Sequence, residues 1–138
     1  PLVNVTVVAA TNRPDIMDPA LLRPGRIDRI LYVSPPDFES RREILRLQIS
    51  GGKKNKKMAC EEDVDVEVLA RETEGCSGAE VVALCREAAM KAMEESLEIR
   101  AVGKRHFEQA LKGLVRRITP EMVRFYDDFR ERSGLKSV

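Results

Sequence analysis

Between Thr11 and Arg29 the chain carries Pro14, Pro19 and Pro24, spaced too closely for any regular helix or strand to run through. Each proline removes a backbone donor, fixes its own φ and pushes the residue before it toward extended backbone. The stretch must therefore be a run of tight corners. Before it, Val3-Asn-Val-Thr-Val-Val-Ala-Ala10 is rich in β-branched residues and shows no helical period, which predicts a buried strand. Asn12 then falls at the C-terminal end of that strand, the edge where open α/β sheets bind ligands. An asparagine there more often just caps a turn. Asp18-Pro19 reads as a helix N-cap followed by proline at the first helical position, and Ala20-Leu21-Leu22 as one apolar turn. Arg23-Pro24-Gly25-Arg26 ends that turn on a stiff corner. Its two outward arginines are either solvated surface charges or a pair of guanidinium groups presented to a phosphate.

Beyond the corner, Arg29 to Val33 reads as a second short strand, and Ser34-Pro-Pro-Asp37 as a subdomain boundary and hinge. Helices follow. Asp37 to Ser50 has Ile44, Leu45 and Ile49 as its apolar stripe, with Arg41, Arg42 and Glu43 placed outward. Gly51 to Lys57 is glycine and lysine, a solvated loop with a weaker reading as an RNA-phosphate contact through Lys53, Lys54, Lys56 and Lys57. Asp65 to Thr73 is a short helix stopped by Gly75. Ser77 and Glu80 have capping-box spacing and open the longest helix, whose apolar face is Val81, Leu84, Cys85, Ala88 and Ala92. The free N–H groups at that helix start suit a nucleotide. Phe107 to Leu114 is another helix, and His106, the single histidine, belongs to its start or its packing. Thr119-Pro120 caps a last helix, Glu121 to Arg132, whose Met122, Phe125, Tyr126 and Phe129 either pack on the helical part or dock on a neighbouring subunit. The tail after Ser133 is expected to fray.

Composition narrows the function classes. Charged residues are 34% and aromatics 4%, which suits helices with charged outer faces. A net charge of +1 gives no overall field for nucleic acid or membrane. No apolar run approaches the about 20 residues that span a bilayer. Cys60, Cys76 and Cys85 have no CxxC spacing and read as reduced intracellular thiols, neither a disulfide frame nor a zinc site.

The segments Ala10 to Asp15 and Leu22 to Asp28 resemble the second region of homology of AAA ATPases, and Gly75-Cys-Ser-Gly-Ala-Glu80 resembles that family's sensor-2 segment. The likeness covers nearly all of the chain. It is similar to tandem-domain members such as valosin-containing protein, and Lys104 to Phe129 looks most like the spermatogenesis-associated, diazaborine-resistance branch. The fold this implies is an α/β fragment: the C-terminal strands of a P-loop NTPase sheet, then an all-α AAA lid. Residues 1–36 would belong to the ATPase core, 37–118 to the lid, and 119–138 to a C-terminal helix and tail. By the same resemblance Asn12 takes the sensor-1 role, and Arg23 and Arg26 the arginine-finger positions. Ile44 and Gln48 fall near adenine and ribose, and the backbone at Gly78-Ala79 lies against the nucleoside. Where the family more often has histidine or asparagine, this chain has Gln48; with Ala79 in place of a sensor-2 arginine, sensing at that element would be by shape.

The resemblance implies ATP and Mg2+, both bound mainly by a P-loop and an Asp-Glu pair absent from these residues and expected before Pro1. The sequence thus reads as a fragment, inactive alone, of a homo-hexameric ATPase that remodels protein substrates, pre-ribosomal factors among them. It is expected in the cytoplasm, with neither membrane association nor direct nucleic-acid binding. The competing reading is a non-catalytic lid module that docks on other AAA subunits.

Overall fold

A computed structural model describes residues 5–23, 25–50, 58–133 and 136–137. The chain forms two compact units, Ser34–Pro120 and Pro1–Val33 with Glu121–Val138.

The first unit is helical: α1 (Phe38–Ser50), α2 (Val66–Glu72), α3 (Gly78–Glu95) and α4 (Lys104–Lys112). Helix α3 is its centre and packs against both α1 and α4. The expected stripe Val81, Leu84, Cys85, Ala88 and Ala92 is fully buried and meets Leu45 from α1 and Phe107 and Ala110 from α4. Removing such side chains from water is the main stabilising term, on the order of 25 cal/mol per Å² of apolar surface. Small residues at Ala88 and Ala92 leave room for close helix approach. Burial pushes the Cys85 thiol up to about 12 and raises that of Cys76.

Local chemistry sets the helix ends. Asp65 caps α2, accepting from the N–H groups of Glu67 at 2.8 Å and Val68 at 3.4 Å. Gly75 sits at φ +77°, in the left-handed region that glycine enters at least cost. The Arg116 guanidinium then donates to the carbonyls of Glu72 and Glu74, both at 2.8 Å, where α2 has run out of its own donors. Helix α4 starts at Lys104 because Gly103 is its N-cap. The Gly103 N–H donates to His106 Nδ1 at 2.9 Å. That bond leaves the proton on Nε2, which lies 2.7 Å from Glu95 Oε2. His106 is thus a buried packing and helix-start residue, as expected.

Arg41 is 6% exposed, not outward. Its Nε and Nη2 donate to the Ala70 carbonyl at 3.2 and 3.1 Å, and its Nη1 to the Pro36 carbonyl at 2.9 Å. A guanidinium tolerates this burial because its planar donors meet backbone carbonyls, that of Ala70 being shared with the Thr73 hydroxyl at 3.2 Å. Helical periodicity alone could not find it, since the aliphatic stem follows the apolar face while the charge is met by another element.

In the second unit the expected strand over Val3–Ala10 does not form among its described residues. Val5, Val7 and Val8 are exposed, and no described strand pairs with them. A strand's donors and acceptors need a neighbour, so β-propensity by itself does not make this segment a strand. The second expected strand shrinks to β1 (Leu31–Tyr32), which pairs in parallel with β2 (Lys136–Ser137). The tail that was expected to fray thus contributes a strand. Helix α5 (Pro120–Ser133) carries the C-terminal aromatics. Its Tyr126 ring lies 6.5 Å from that of Tyr32 and 5.2 Å, edge-on, from that of Phe125, so at least this aromatic packs on residues of its own unit outside the helical lid. Arg130 stands over Tyr32 with Cζ 5.7 Å from the ring centroid. The lysine loop, residues 51–57, lies outside the described residues.

Two outcomes follow. Arg41→Ala should lower unfolding stability by about 1–3 kcal/mol, because the Ala70 and Pro36 carbonyls lose the guanidinium donors, and Arg41→Lys should recover part of it; urea denaturation followed by circular dichroism measures both. Hydrogen bonds from Arg105 and then His106 hold the Glu95 carboxyl down at about 2, against an ordinary 4.5. A depressed acid stabilises the fold above its unfolded value and loses that contribution as pH falls through its folded value. The difference in Tm between the native chain and Glu95→Gln should therefore be constant above pH 4.5 and nearly closed at pH 2.

Candidate functional site

The site residues expected from the sequence fall into two groups, one in each unit. In the helical unit, Ile44 and Gln48 lie one turn apart on α1, both half-buried. Gly78 opens α3, and a Cβ built on it would meet Ile44 Cδ1 at 3.5 Å. Ala79 beside it is exposed. The structure thus brings Ile44 and Gly78 into contact at the start of α3, with an apolar side chain, a side-chain amide one turn along, and a helix start without bulk.

That helix start is firmly built. The Ser77 hydroxyl accepts from the Glu80 N–H at 3.3 Å, and Glu80 Oε2 accepts from the Ser77 N–H at 2.7 Å, the reciprocal pair that the spacing predicted. Glu80 does more than the sequence suggested. Its Oε1 accepts from the Arg117 N–H at 2.8 Å, tying the chain after α4 to the start of α3. Partial burial works to raise this carboxyl, but the backbone donors of Ser77 and Arg117 and the Ser77 hydroxyl outweigh it, and the acid is held below its ordinary value. Among the described residues no group of three or more His, Cys, Asp or Glu side chains could hold a metal ion.

In the other unit, short 3-10 turns over Pro14–Ile16 and Pro19–Leu22 make the predicted corners. Asp18 caps the second, accepting from the Ala20 N–H at 2.8 Å. The arginine corner is closed from both sides: the Ile27 N–H donates to the Leu21 carbonyl at 3.2 Å, the Arg26 N–H to the Arg23 carbonyl at 3.2 Å, and the Gly25 N–H to Asp28 Oδ1 at 2.7 Å. Gly25 sits at φ +83° with open space around it, so backbone angle, not room, calls for glycine. Arg23 and Arg26 are both exposed. Arg26 Nη1 also folds back onto the Ala20 carbonyl at 2.7 Å, which anchors one end of that guanidinium and leaves its other donors outward.

Asn12 is exposed, with its carbonyl accepting from the Tyr126 hydroxyl at 2.7 Å. The sequence marks Tyr126 only as one of the aromatics of α5, and nothing in it links that residue to Asn12, far back along the chain. The local parts of the corner were more accessible: Asp28 stands three residues after Gly25, within ordinary side-chain-to-backbone reach.

Comparison with known proteins gives matches over both groups. The family described as ATPase family associated with various cellular activities (AAA) matches residues 2–35, and the AAA+ lid domain matches residues 63–109. The ATPase family gene 2 protein of Schizosaccharomyces pombe is 53% identical over 128 residues, covering 93% of this chain and 15% of the relative. Its namesake in Saccharomyces cerevisiae is 54% identical over 137 residues, covering 99% of this chain and 17% of the relative. The cell division cycle protein 48 homolog of Archaeoglobus fulgidus is 43% identical over 143 residues, covering 94% and 19%. The chain therefore spans less than a fifth of the length of these curated relatives.

Because Glu80 serves two backbone donors and Ser77 one, Glu80→Ala should cost more stability than Ser77→Ala, for which about 1 kcal/mol is expected. Thermal melts of the two variants side by side check the order.

Proposed function

Since this chain belongs to the AAA ATPase family, we infer that it supplies the sensor, arginine and lid portions of the second ATPase module in a tandem-domain, ring-forming enzyme that hydrolyses ATP to remodel proteins. ATP with magnesium brings the phosphoryl group that passes to water. In this chain the Asn12 amide orients the attacking water or the γ-phosphate through hydrogen bonds. Ile44 lies against the base, Gln48 reaches toward the ribose, and the Gly78-Ala79 backbone flanks the nucleoside, where a larger side chain would intrude. Arg23 and Arg26 act on the nucleotide of a neighbouring subunit, neutralising charge as the γ-phosphate departs, so turnover depends on assembly into a hexamer. We place the enzyme's work in ribosome assembly, acting on pre-ribosomal proteins in the cytoplasm, on the likeness of residues 104–129 to the spermatogenesis-associated branch.

What carries the reading is the arginine corner. Two exposed guanidinium groups sit on a backbone closed by its own hydrogen bonds, in a segment that matches the family. Surface arginines kept only for solubility need no such rigid mount, whereas a charge that must meet a phosphate at one point does. Ion binding between exposed groups is weak unless geometry is fixed in advance, and the closed turn fixes it.

In the complete protein, Arg23→Ala or Arg26→Ala should cut kcat by about a thousandfold or more, the range of an arginine finger, while ATP still binds with near-native affinity. Turnover assays beside equilibrium binding of a fluorescent ATP analogue test this. Binding that falls in step with turnover would show that these arginines serve their own site, and the trans reading would be lost.

A further inference from the structure

The peptide that joins Asn12 to Arg13 is held at both of its polar ends. Its N–H donates to Thr11 Oγ1 at 2.9 Å, and its carbonyl accepts from the Tyr126 hydroxyl at 2.7 Å. The next residue is held as well: the Arg13 guanidinium forks onto the Asp15 carboxylate, with Nε at 2.9 Å and Nη2 at 2.8 Å. Pro14 follows and narrows the backbone choices of Arg13 further. A peptide plane pinned at both ends fixes ψ of Asn12, and with it the direction from which the Asn12 side chain leaves the backbone.

The donor in this arrangement is a long way off in sequence. Tyr126 sits in the middle of α5, half-buried, and its ring is located by Tyr32 and Phe125. Tyr32 is in turn covered by Arg130, one turn beyond Tyr126 on the same helix. A phenol packed on aromatic neighbours keeps its hydroxyl in one place, and a partly buried hydroxyl needs a partner. Here the partner is the Asn12 carbonyl. Among the described residues no other side chain donates to it.

We propose that Tyr126 is a positioning residue for ATP hydrolysis: its hydroxyl, delivered by the C-terminal helix, locks the backbone from which Asn12 addresses the phosphate or the water. This rests on the reading of Asn12 given above. It makes α5 a part of the catalytic machinery that never touches nucleotide, and it ties turnover to whether that helix is seated. The hydroxyl contributes one hydrogen bond between uncharged groups, so its loss should slow turnover about three- to tenfold, far less than loss of a group that touches the reacting atoms.

The test uses the complete protein with Tyr126→Phe, Asn12→Ala and the double variant. Tyr126→Phe keeps the ring packing and removes only the donor. The expected result is a three- to tenfold lower kcat, with KM for ATP, ring assembly by light scattering and Tm all close to native. Asn12→Ala should lose far more, and the double variant should be no slower than Asn12→Ala alone, because the two residues act through one side chain. An unchanged kcat in Tyr126→Phe overturns the proposal. So does a loss that comes with a lower Tm or dispersed rings, or one that simply multiplies with that of Asn12→Ala, since each marks a merely structural tyrosine. Asn12→Ala measured alone separates the two ideas: native turnover there overturns the reading of Asn12 and the positioning role with it, whereas a slow Asn12→Ala beside a native Tyr126→Phe overturns only the positioning role.

Discussion

The helical unit depends on burying the charge of Arg41. Helices α1 and α2 cannot pack until that guanidinium leaves water, and leaving water is costly unless each N–H finds an acceptor. Three of its donors end on the carbonyls of Ala70 and Pro36. Ala70 lies near the end of α2, where its carbonyl takes the Arg41 donors beside the Thr73 hydroxyl, so the helix end helps satisfy the buried guanidinium. The Pro36 carbonyl belongs to the segment leading into α1, so the same side chain also fixes how the chain enters the helix. Arg116 repeats the device on the Glu72 and Glu74 carbonyls. The short helix α2 is therefore held by arginines from outside itself, which its seven residues could not do by propensity alone.

With α2 fixed, the start of α3 is fixed too. The Ser77–Glu80 box points the first turn, and the Arg117 N–H on Glu80 holds that turn from the far side of the unit. Gly78 can then face Ile44 without crowding it. The second unit uses a different strategy for the same end. Prolines and a left-handed glycine leave its backbone few conformations, and backbone-to-side-chain hydrogen bonds close the remaining ones. In both units the groups proposed to meet a nucleotide stand on segments with little freedom left, which would lower the entropy lost on engaging it.

How much of this was legible beforehand varied with distance along the chain. The helices, the cap at Ser77, the stop at Gly75 and the corner at Asp18 were all readable, since each depends on residues within a turn of one another. Of the candidate site, the sequence marked Asn12, Arg23, Arg26, Ile44, Gln48, Gly78 and Ala79 by their likeness to a family motif. It did not show that Ile44 meets Gly78, that Arg26 leans on the Ala20 carbonyl or that Tyr126 reaches Asn12. The failed strand over Val3–Ala10 is instructive in the same way. Alternating valines state a preference for extended backbone, and the preference becomes a strand only where a neighbour takes up the hydrogen bonds.

What the sequence determined by itself was local: where helices begin and end, which faces are apolar, and where prolines and glycines force the chain to turn. These follow from steric and hydrogen-bonding preferences that act over a few residues. Tertiary structure alone decided which polar groups are satisfied across the fold. It buried Arg41 that periodicity would leave in water, gave the C-terminal Lys136–Ser137 a parallel partner in Leu31–Tyr32, and set the Tyr126 hydroxyl on the carbonyl of Asn12. The reason is that a donor's partner is chosen by what packing brings within about 3 Å of it, and chain separation does not enter that choice.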